Sequence, residues 1–279
     1  MIVSPSNMHD LHVKAAAWNL TIDETHETAT SLLAYGVRAG QPVVLKISKH
    51  DGDEANSGAV LNAFDGNGAV RAYEYEPGAV LLERLEPGEQ LANVVKRGDD
   101  DEATRIIASV ISKLAHHVAP SECPTVTDWG RGFDRYLTSG DRQIPLELIH
   151  EAHRLYHDLE STQSTTMLLH GDLQHYNILF DNRHGWVAID PKGVVGELEY
   201  EVGPLLRNPV ELPELFANTA TIRRRLKILT TTLPLNYSRV VKWSYAQAIL
   251  SAIWDIEDGY ALQPDNPSLL LAQVLRPML

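Results

Sequence analysis

The sequence predicts an α+β fold of two lobes, a small β-rich N-terminal lobe over residues 1–85 and a larger helical lobe over residues 86–279. Short apolar and β-branched runs separated by glycines dominate the first part. Apolar residues recur at helical spacing through much of the second. A length of 279 residues suits one large domain or two smaller lobes. Because Pro87 and Gly88 interrupt both patterns, segment 83–89 is the predicted hinge.

Three strands and one helix are predicted in the N-terminal lobe. The strands cover residues 30–35, 42–47 and 80–85, which are mainly apolar or β-branched. Residues 54–64 form a predicted helix between the second and third strands. The expected order is therefore strand, strand, helix, strand.

The C-terminal lobe is predicted to contain long helices and one β-hairpin. The first helix opens on the acidic run 99–102, which complements the positive end of the helix dipole. Ser238 is the predicted N-cap of the last helix. The other predicted elements are a helix at 146–159, a hairpin at 177–190, and helices at 213–233 and 238–262.

The segment His-Gly-Asp-Leu-Gln-His-Tyr-Asn at 170–177 sets an aspartate and an asparagine five residues apart. Asp172 is predicted to lie on a loop, where its carboxylate can face an incoming alcohol. Asn177 begins a strand, and a tight turn at 182–185 returns the chain to Asp190. The Asn and Gly of that turn tolerate the positive φ that hairpin turns require. One hairpin therefore brings Asn177 and Asp190 to the same end.

These three side chains match the groups that phosphoryl transfer requires. A carboxylate accepts the proton of the attacking hydroxyl, and an Asn and an Asp hold the metal ions that bridge the phosphates of ATP. Oxygen ligands of this kind suit Mg²⁺. The sequence therefore predicts Asp172 as the catalytic base and Asn177 and Asp190 as the metal ligands. The alternative is a polar loop between two buried strands, and the second Asp on the partner strand counts against it.

Lys46 is the only charged residue in the apolar strand 43–47. A buried cation is costly unless it is paired. In a kinase such a lysine contacts the α- and β-phosphates and pairs with a helix glutamate. Glu54, eight residues later, is the best predicted partner, with Asp51 and Asp53 as alternatives. A strand lysine that extends its ammonium to solvent is the other interpretation.

The end of the third strand is predicted to bind the adenine through its backbone. A carbonyl and an N–H within the segment from Glu83 to Leu85 would meet the adenine edge. No glycine-rich loop is present to cover the phosphates, and the segment 23–30 is the candidate in its place. Its three carboxylates argue against close approach of a triphosphate by those side chains, so no residue is assigned there.

Composition and charge restrict the partners and the location. A net charge of −13 argues against nucleic acid as the main partner and is compatible with a cationic substrate, although acidity also serves solubility. No apolar run approaches the length of about 20 residues that a membrane span requires. The first residues lack the pattern of a signal peptide, and one cysteine, Cys123, excludes an internal disulfide framework. A cytoplasmic protein is therefore expected.

With Lys46, Glu54, Asp172, Asn177 and Asp190 in this order, the chain resembles the aminoglycoside phosphotransferase family. These proteins are small-molecule kinases with a protein-kinase-like fold. The segments 189–197 and 202–209 resemble the streptomycin 6-phosphotransferase and hydroxyurea phosphotransferase branch of the family. The resemblance implies that ATP and Mg²⁺ are the cofactors, that the five residues have the roles given above, and that His170 braces the catalytic loop.

Two positions depart from the pattern of protein kinases. Gly171 stands where protein kinases carry the Arg that contacts a phosphorylated activation loop, and Pro191 stands where they carry Phe. Activation by loop phosphorylation and a protein substrate are therefore not expected.

Three functions remain compatible with the sequence. The first is an antibiotic-directed O-phosphotransferase of the streptomycin type, the second a metabolic kinase of another small alcohol or amino sugar, and the third a catalytically dead nucleotide-binding module. Intact Lys46, Asp172, Asn177 and Asp190 count against the third. Streptomycin-like substrates carry guanidinium or ammonium groups, which carboxylates would bind. The candidate carboxylates are Glu197, Glu199, Glu201, Asp255, Glu257 and Asp258. A solvated acidic face is the favoured alternative for each group.

Overall fold

The structure, a computed structural model, describes residues 5–49 and 56–279. The strands are β1 (Thr21–Glu27), β2 (Ser31–Arg38), β3 (Gln41–Ser48), β4 (Ala72–Glu76), β5 (Ala79–Glu83), β6 (Pro87–Gln90), β7 (Met167–Leu169), β8 (Ile178–Asp181), β9 (Gly185–Ala188) and β10 (Val194–Gly196). The α-helices are α1 (Pro5–Ala17), α2 (Ser57–Phe64), α3 (Ala92–Lys96), α4 (Asp100–Leu114), α5 (Val126–Ser139), α6 (Leu146–Glu160), α7 (Gly203–Leu206), α8 (Pro213–Phe216), α9 (Thr219–Thr232), α10 (Tyr237–Glu257) and α11 (Pro267–Leu275). Two 3₁₀ helices cover Leu198–Val202 and Arg276–Met278.

The N-terminal lobe is an antiparallel sheet in the order β1-β2-β3-β5-β4. Alternate side chains of a strand point to opposite faces, and β5 illustrates this. Leu81 packs into the cluster that α1 covers, whereas Val80 packs with α2 and the core of the other lobe. The sheet therefore has α1 on one face, and its other face adjoins the rest of the protein.

The C-terminal lobe is built around α10, which is buried on most of its sides. A helix surrounded by other elements lacks a distinct polar face, and α10 accordingly carries Trp243, Tyr245, Ile249 and Ile253 in the core. Two small sheets, β6-β8-β9 and β7-β10, adjoin the helices. The loops that join their strands carry the predicted phosphoryl-transfer residues.

The predicted two-lobe α+β class is confirmed, as are the strands near 30–35, 42–47 and 80–85 and the hairpin. The helix expected at 54–64 is present over its described residues, from Ser57 onward. The boundary between residues 85 and 86 remains a proposal; β5 ends at Glu83, and β6 pairs with β8 of the second lobe. Within residues 5–49 and 56–279, no helix is both long and apolar enough to cross a membrane.

Several elements differ from the prediction. Segment 23–30 is mostly strand β1 followed by a turn; β1 lies at the sheet edge with both faces largely exposed, so it lacks an apolar alternation. The helix expected at 213–233 is two helices, because the side chain of Asn218 caps a new start at α9. The last long helix is capped by Asn236, whose side chain accepts the N–H of Arg239, and the prediction of Ser238 was wrong. Helices α1, α5 and α11 were not predicted.

Candidate active site

The β8–β9 hairpin brings Asn177 and Asp190 to one end, as the sequence predicts. Ile178 pairs with Ala188, and one step further the carbonyl of Asn177 accepts the N–H of Ile189 at 2.9 Å. At the opposite end, Gly185 has a φ of 70°, a backbone conformation that glycine adopts readily. The hydrogen-bonded ladder therefore fixes the spacing between the two residues.

Asn177 also contacts the predicted base directly. Its Nδ2 donates to the main-chain oxygen of Asp172 at 2.8 Å and to the Asp172 carboxylate at 3.2 Å. Because the amide nitrogen is used in this way, Oδ1 is the atom that remains to bind a cation. The structure thus places Asp172 and Asn177 side by side, with oxygen donors of the kind that Mg²⁺ prefers.

Lys46 reaches the same point from the N-terminal sheet. Its ammonium forms an ion pair with Oδ1 of Asp190, 144 residues later in the chain, and the residue is 9% exposed. Lys46 is therefore buried and paired rather than extended into solvent. Glu54, its predicted partner, lies outside the described residues, as do the alternatives Asp51 and Asp53.

His170 connects the catalytic loop to the segment that follows the hairpin. Its Nε2 lies 2.9 Å from the carbonyl of Ile189, and the N–H of Asp172 donates to its Nδ1 at 3.3 Å. Burial lowers the pKa of His170, so the ring is neutral and can donate through one nitrogen and accept through the other. The carbonyl of His170 accepts the N–H groups of Lys192 and Gly193, both at 3.0 Å.

Glu201 lies beneath this loop and was not predicted to support it. Its carboxylate accepts the N–H of His170 at 2.6 Å and that of Gly171 at 3.0 Å. The side chain is almost fully buried. Burial raises its pKa to about 8, while the backbone hydrogen bonds of His170 and Gly171 act in the opposite direction. A lone carboxylate within the apolar run 200–206 is the sequence signal that could have indicated a buried glutamate with partners.

The other carboxylates of that segment are also used within the protein. Glu197 accepts from the guanidinium of Arg239 at 2.7 Å and from the indole N–H of Trp243. Glu199 accepts the N–H of Asn236 at 3.0 Å. These contacts support structural roles for both residues, so the expectation that they bind a cationic substrate is not retained.

We expect Glu201→Gln to lower turnover by about 10²-fold, the cost of a shift of about 1 Å in a catalytic group. Both side-chain oxygens of Glu201 accept N–H groups, so the glutamine must turn an NH₂ toward one of these donors. Steady-state kinetics would measure the loss. Glu199→Gln, on the same 3₁₀ helix, is the matched control and should stay near the wild-type rate. Equal rates for the two variants would contradict the supporting role of Glu201.

Glu201 also gives the stability of the protein a pH dependence of known sign. Its pKa of about 8 in the folded chain lies above the usual 4.5. The protonated carboxyl therefore contributes stability that is complete below pH 4.5 and is lost as the pH rises toward 8. We expect the stability of the wild type relative to Glu201→Gln, measured by thermal unfolding, to fall over this range. A pH-independent difference would refute this assignment.

The predicted adenine segment follows β5. The N–H of Glu83 donates to the carbonyl of Arg71 at 3.0 Å and that of Arg84 to Pro42 at 3.2 Å. Among the described residues, no backbone acceptor binds the N–H of Leu85. The Glu83 carboxylate accepts the N–H of Arg71 at 3.0 Å and lies 3.1 Å from His184 Nε2. The side chain of Glu83 therefore braces the sheet, and its predicted nucleotide contact is limited to the backbone.

Gly171 has a structural reason to carry no side chain. Its φ is 83°, and a Cβ atom there would lie 2.8 Å from the ring of Trp129. Trp129 in turn packs edge-on against Trp254, with ring centroids 5.4 Å apart. Trp129 therefore excludes a side chain at position 171.

The acidic residues at the end of α10 have different surroundings. Glu257 forms an ion pair with Arg135 at 2.7 Å, and Asp255 accepts from the side-chain amide of Asn266 at 2.9 Å. Asp258 is exposed at the end of the helix. Asp255 follows the half-buried Trp254 directly in the chain.

Comparisons with known proteins agree with this geometry. Residues 17–259 match the model of a family described as aminoglycoside/hydroxyurea antibiotic resistance kinase. The chain is 30% identical to a streptomycin 3''-kinase from Klebsiella pneumoniae, over 87% of this chain and 91% of the relative. It is 29% identical to a streptomycin 6-kinase from Streptomyces glaucescens, over 93% of this chain and 86% of the relative.

A solved structure shares the fold. It is the ternary complex of a thermostable mutant of the aminoglycoside phosphotransferase APH(4)-Ia with ADP and hygromycin B. The TM-score is 0.64 at 10% identity, over 95% of this chain and 97% of the other.

Proposed function

Since the chain belongs to the family of aminoglycoside/hydroxyurea antibiotic resistance kinases, we propose that it transfers the γ-phosphate of ATP to a hydroxyl group of a streptomycin-type aminoglycoside. Membership makes the protein an ATP-dependent phosphotransferase that modifies a small molecule. The identity of the acceptor is the part that requires a direct test. A cytoplasmic location, where ATP is abundant, accords with this activity.

One observation carries the proposal for the mechanism. The Lys46–Asp190 ion pair, the Asn177–Asp172 hydrogen bond and the backbone bond between Asn177 and Ile189 connect one cation and three oxygen-bearing side chains, which supports the proposal. Asp172 accepts the proton of the acceptor hydroxyl. A bond then forms between that oxygen and the γ-phosphorus, the bond from this phosphorus to the β-phosphate oxygen breaks, and ADP leaves.

The remaining residues bind and orient the nucleotide. Lys46 contacts the α- and β-phosphates, and the backbone from Glu83 to Leu85 meets the adenine, with the N–H of Leu85 as donor. Oδ1 of Asn177 and the carboxylate of Asp190 would hold Mg²⁺, which neutralises phosphate charge when it is bound. Glu54 stays the proposed partner of Lys46 on the basis of its position in the sequence.

The streptomycin-type acceptor is supported by the two relatives and by the charge of the chain. Streptomycin-like molecules are cationic, and a net charge of −13 favours their approach. Asp255 beside Trp254 offers a carboxylate and an aromatic side chain in the same region, which is a suitable combination for a guanidinium group.

The proposal is tested by ADP release from Mg·ATP with a panel of aminoglycosides and small alcohols. We expect streptomycin to stimulate release, and mass spectrometry to find one added phosphate on the antibiotic. The Asp172→Asn variant is the control for phosphorylation by contaminating enzymes. Stimulation by another alcohol but not by streptomycin would replace the acceptor with a metabolic substrate. Nucleotide binding without turnover on any acceptor would indicate a catalytically dead module.

A further inference from the structure

Lys192 is a half-buried cation two residues after the proposed metal ligand Asp190. Within residues 5–49 and 56–279, no carboxylate forms an ion pair with its ammonium. The Nζ atom instead lies 6.0 Å from the ring centroid of Trp254. Among the described residues, the ammonium therefore has an aromatic contact and no ion pair, beside the loop that carries Asp172.

The backbone around Lys192 is held by contacts with the catalytic loop and with the N-terminal lobe. Its N–H donates to the carbonyl of His170 at 3.0 Å, as does that of Gly193. Gly193 packs against Val60 of α2, so closely that a Cβ atom at this position would clash with it. The start of the Lys192 side chain is therefore fixed relative to the catalytic loop and the N-terminal lobe, while its four methylene groups leave the ammonium free to move.

Among the described residues, the cations near the catalytic loop differ in whether a carboxylate already engages them. Negative charge spreads over three oxygens of the transferring group and needs cations around it. Lys46 is already paired with Asp190, and burial keeps His170 neutral. Arg207 interacts electrostatically with the carboxylates of Asp172 and Asp255. Lys192 is the only lysine or arginine within 170–177 and 189–193. Arg183 lies at the far end of the hairpin, bound to Asp181.

We propose that Lys192 is a further catalytic residue, whose ammonium leaves the Trp254 ring when Mg·ATP binds and contacts the γ-phosphate oxygens. The proposal rests on the proposed phosphotransferase function. A charge-assisted hydrogen bond to phosphate is stronger than a cation–π contact at a partly exposed ring, so the ammonium favours the phosphate. Lys192 forms no covalent bond; the phosphoryl group moves to the acceptor oxygen and the proton to Asp172, as described above.

The test compares nucleotides with and without a γ-phosphate. We expect Lys192→Met to weaken the binding of Mg·AMP-PNP about tenfold, the effect of one charge-assisted hydrogen bond, and to leave that of Mg·ADP unchanged. Isothermal titration calorimetry measures both. Lys192→Arg, which keeps the charge, should recover part of the lost affinity. The exposed Lys227→Met, on α9, removes the same charge elsewhere and should bind both nucleotides like the wild type.

Equal losses for the two nucleotides, or no loss for either, would overturn the assignment to the γ-phosphate. Failure of Lys192→Arg to bind AMP-PNP better than Lys192→Met would do the same. The titrations require no acceptor, so they decide the role of Lys192 even if streptomycin is not phosphorylated. A wild type that binds AMP-PNP but phosphorylates no acceptor in the panel would count against the proposed function alone.

Discussion

Replacing Asp172 by Asn is expected to lower turnover by about 10²- to 10⁴-fold, the usual contribution of a positioned general base. The asparagine keeps an oxygen that can accept from Nδ2 of Asn177, so the loop should hold its shape. Lys46, Asn177 and Asp190 remain in place, and the affinity for Mg·ATP should change little. Steady-state kinetics and calorimetric titration measure the two quantities separately.

The control for Asp172→Asn is Asp158→Asn, an equal change of charge at an exposed position of α6. It should leave both turnover and nucleotide affinity at wild-type values. Turnover by Asp172→Asn at the wild-type rate would exclude Asp172 as the base. A parallel loss of nucleotide affinity would instead assign the residue to nucleotide or metal binding.

Replacing Arg225 by Met is expected to destabilise the protein by about 3–5 kcal/mol, the usual cost of removing one partner of a buried ion pair. Arg225 is fully buried, and its Nε and Nη2 donate to Asp100 at 3.0 and 2.6 Å. Its Nη1 donates to the carbonyls of Leu205 and Asn208 at 3.2 and 2.8 Å. Methionine would leave the carboxylate with less compensation and the carbonyls without this donor.

The neighbouring Arg224 provides a matched comparison for the stability measurement. It also contacts Asp100, at 2.9 Å, but its side chain is 45% exposed. Water screens this pair, so Arg224→Met should cost less than about 1 kcal/mol. Urea denaturation of both variants measures the difference. Similar losses for the two would show that burial of Arg225 does not determine the strength of its ion pair.

The spacing of the proposed catalytic residues could be predicted because it is local. A loop, a strand, a tight turn and a return strand lie within residues 170–190, and hydrogen bonding between adjacent strands places Asn177 near Asp190 without help from distant segments. The apolar strands and the amphipathic helix α4 could also be predicted from the sequence. The spacing of their apolar residues indicates directly which side of each element faces the core.

The edge strand β1, the break between α8 and α9, and the start of α10 were not predicted correctly. An edge strand with both faces exposed has no alternation to detect, and helix ends depend on which side chain reaches a free N–H. Asn218 and Asn236 supply those caps, whereas Ser238 lies inside its helix. These helix boundaries depended on which nearby polar side chain accepts the free N–H groups of the first turn.

The sequence by itself determined the two-lobe class, the order of the phosphoryl-transfer residues and the absence of a side chain at position 171. Only the tertiary structure decided that Lys46 meets Asp190 and that Glu201 supports the catalytic loop. Both contacts join residues far apart in the chain, and spacing carries no information about such pairs. Burial is the reason they form, because a carboxylate or an ammonium removed from water must find a partner wherever the fold places one.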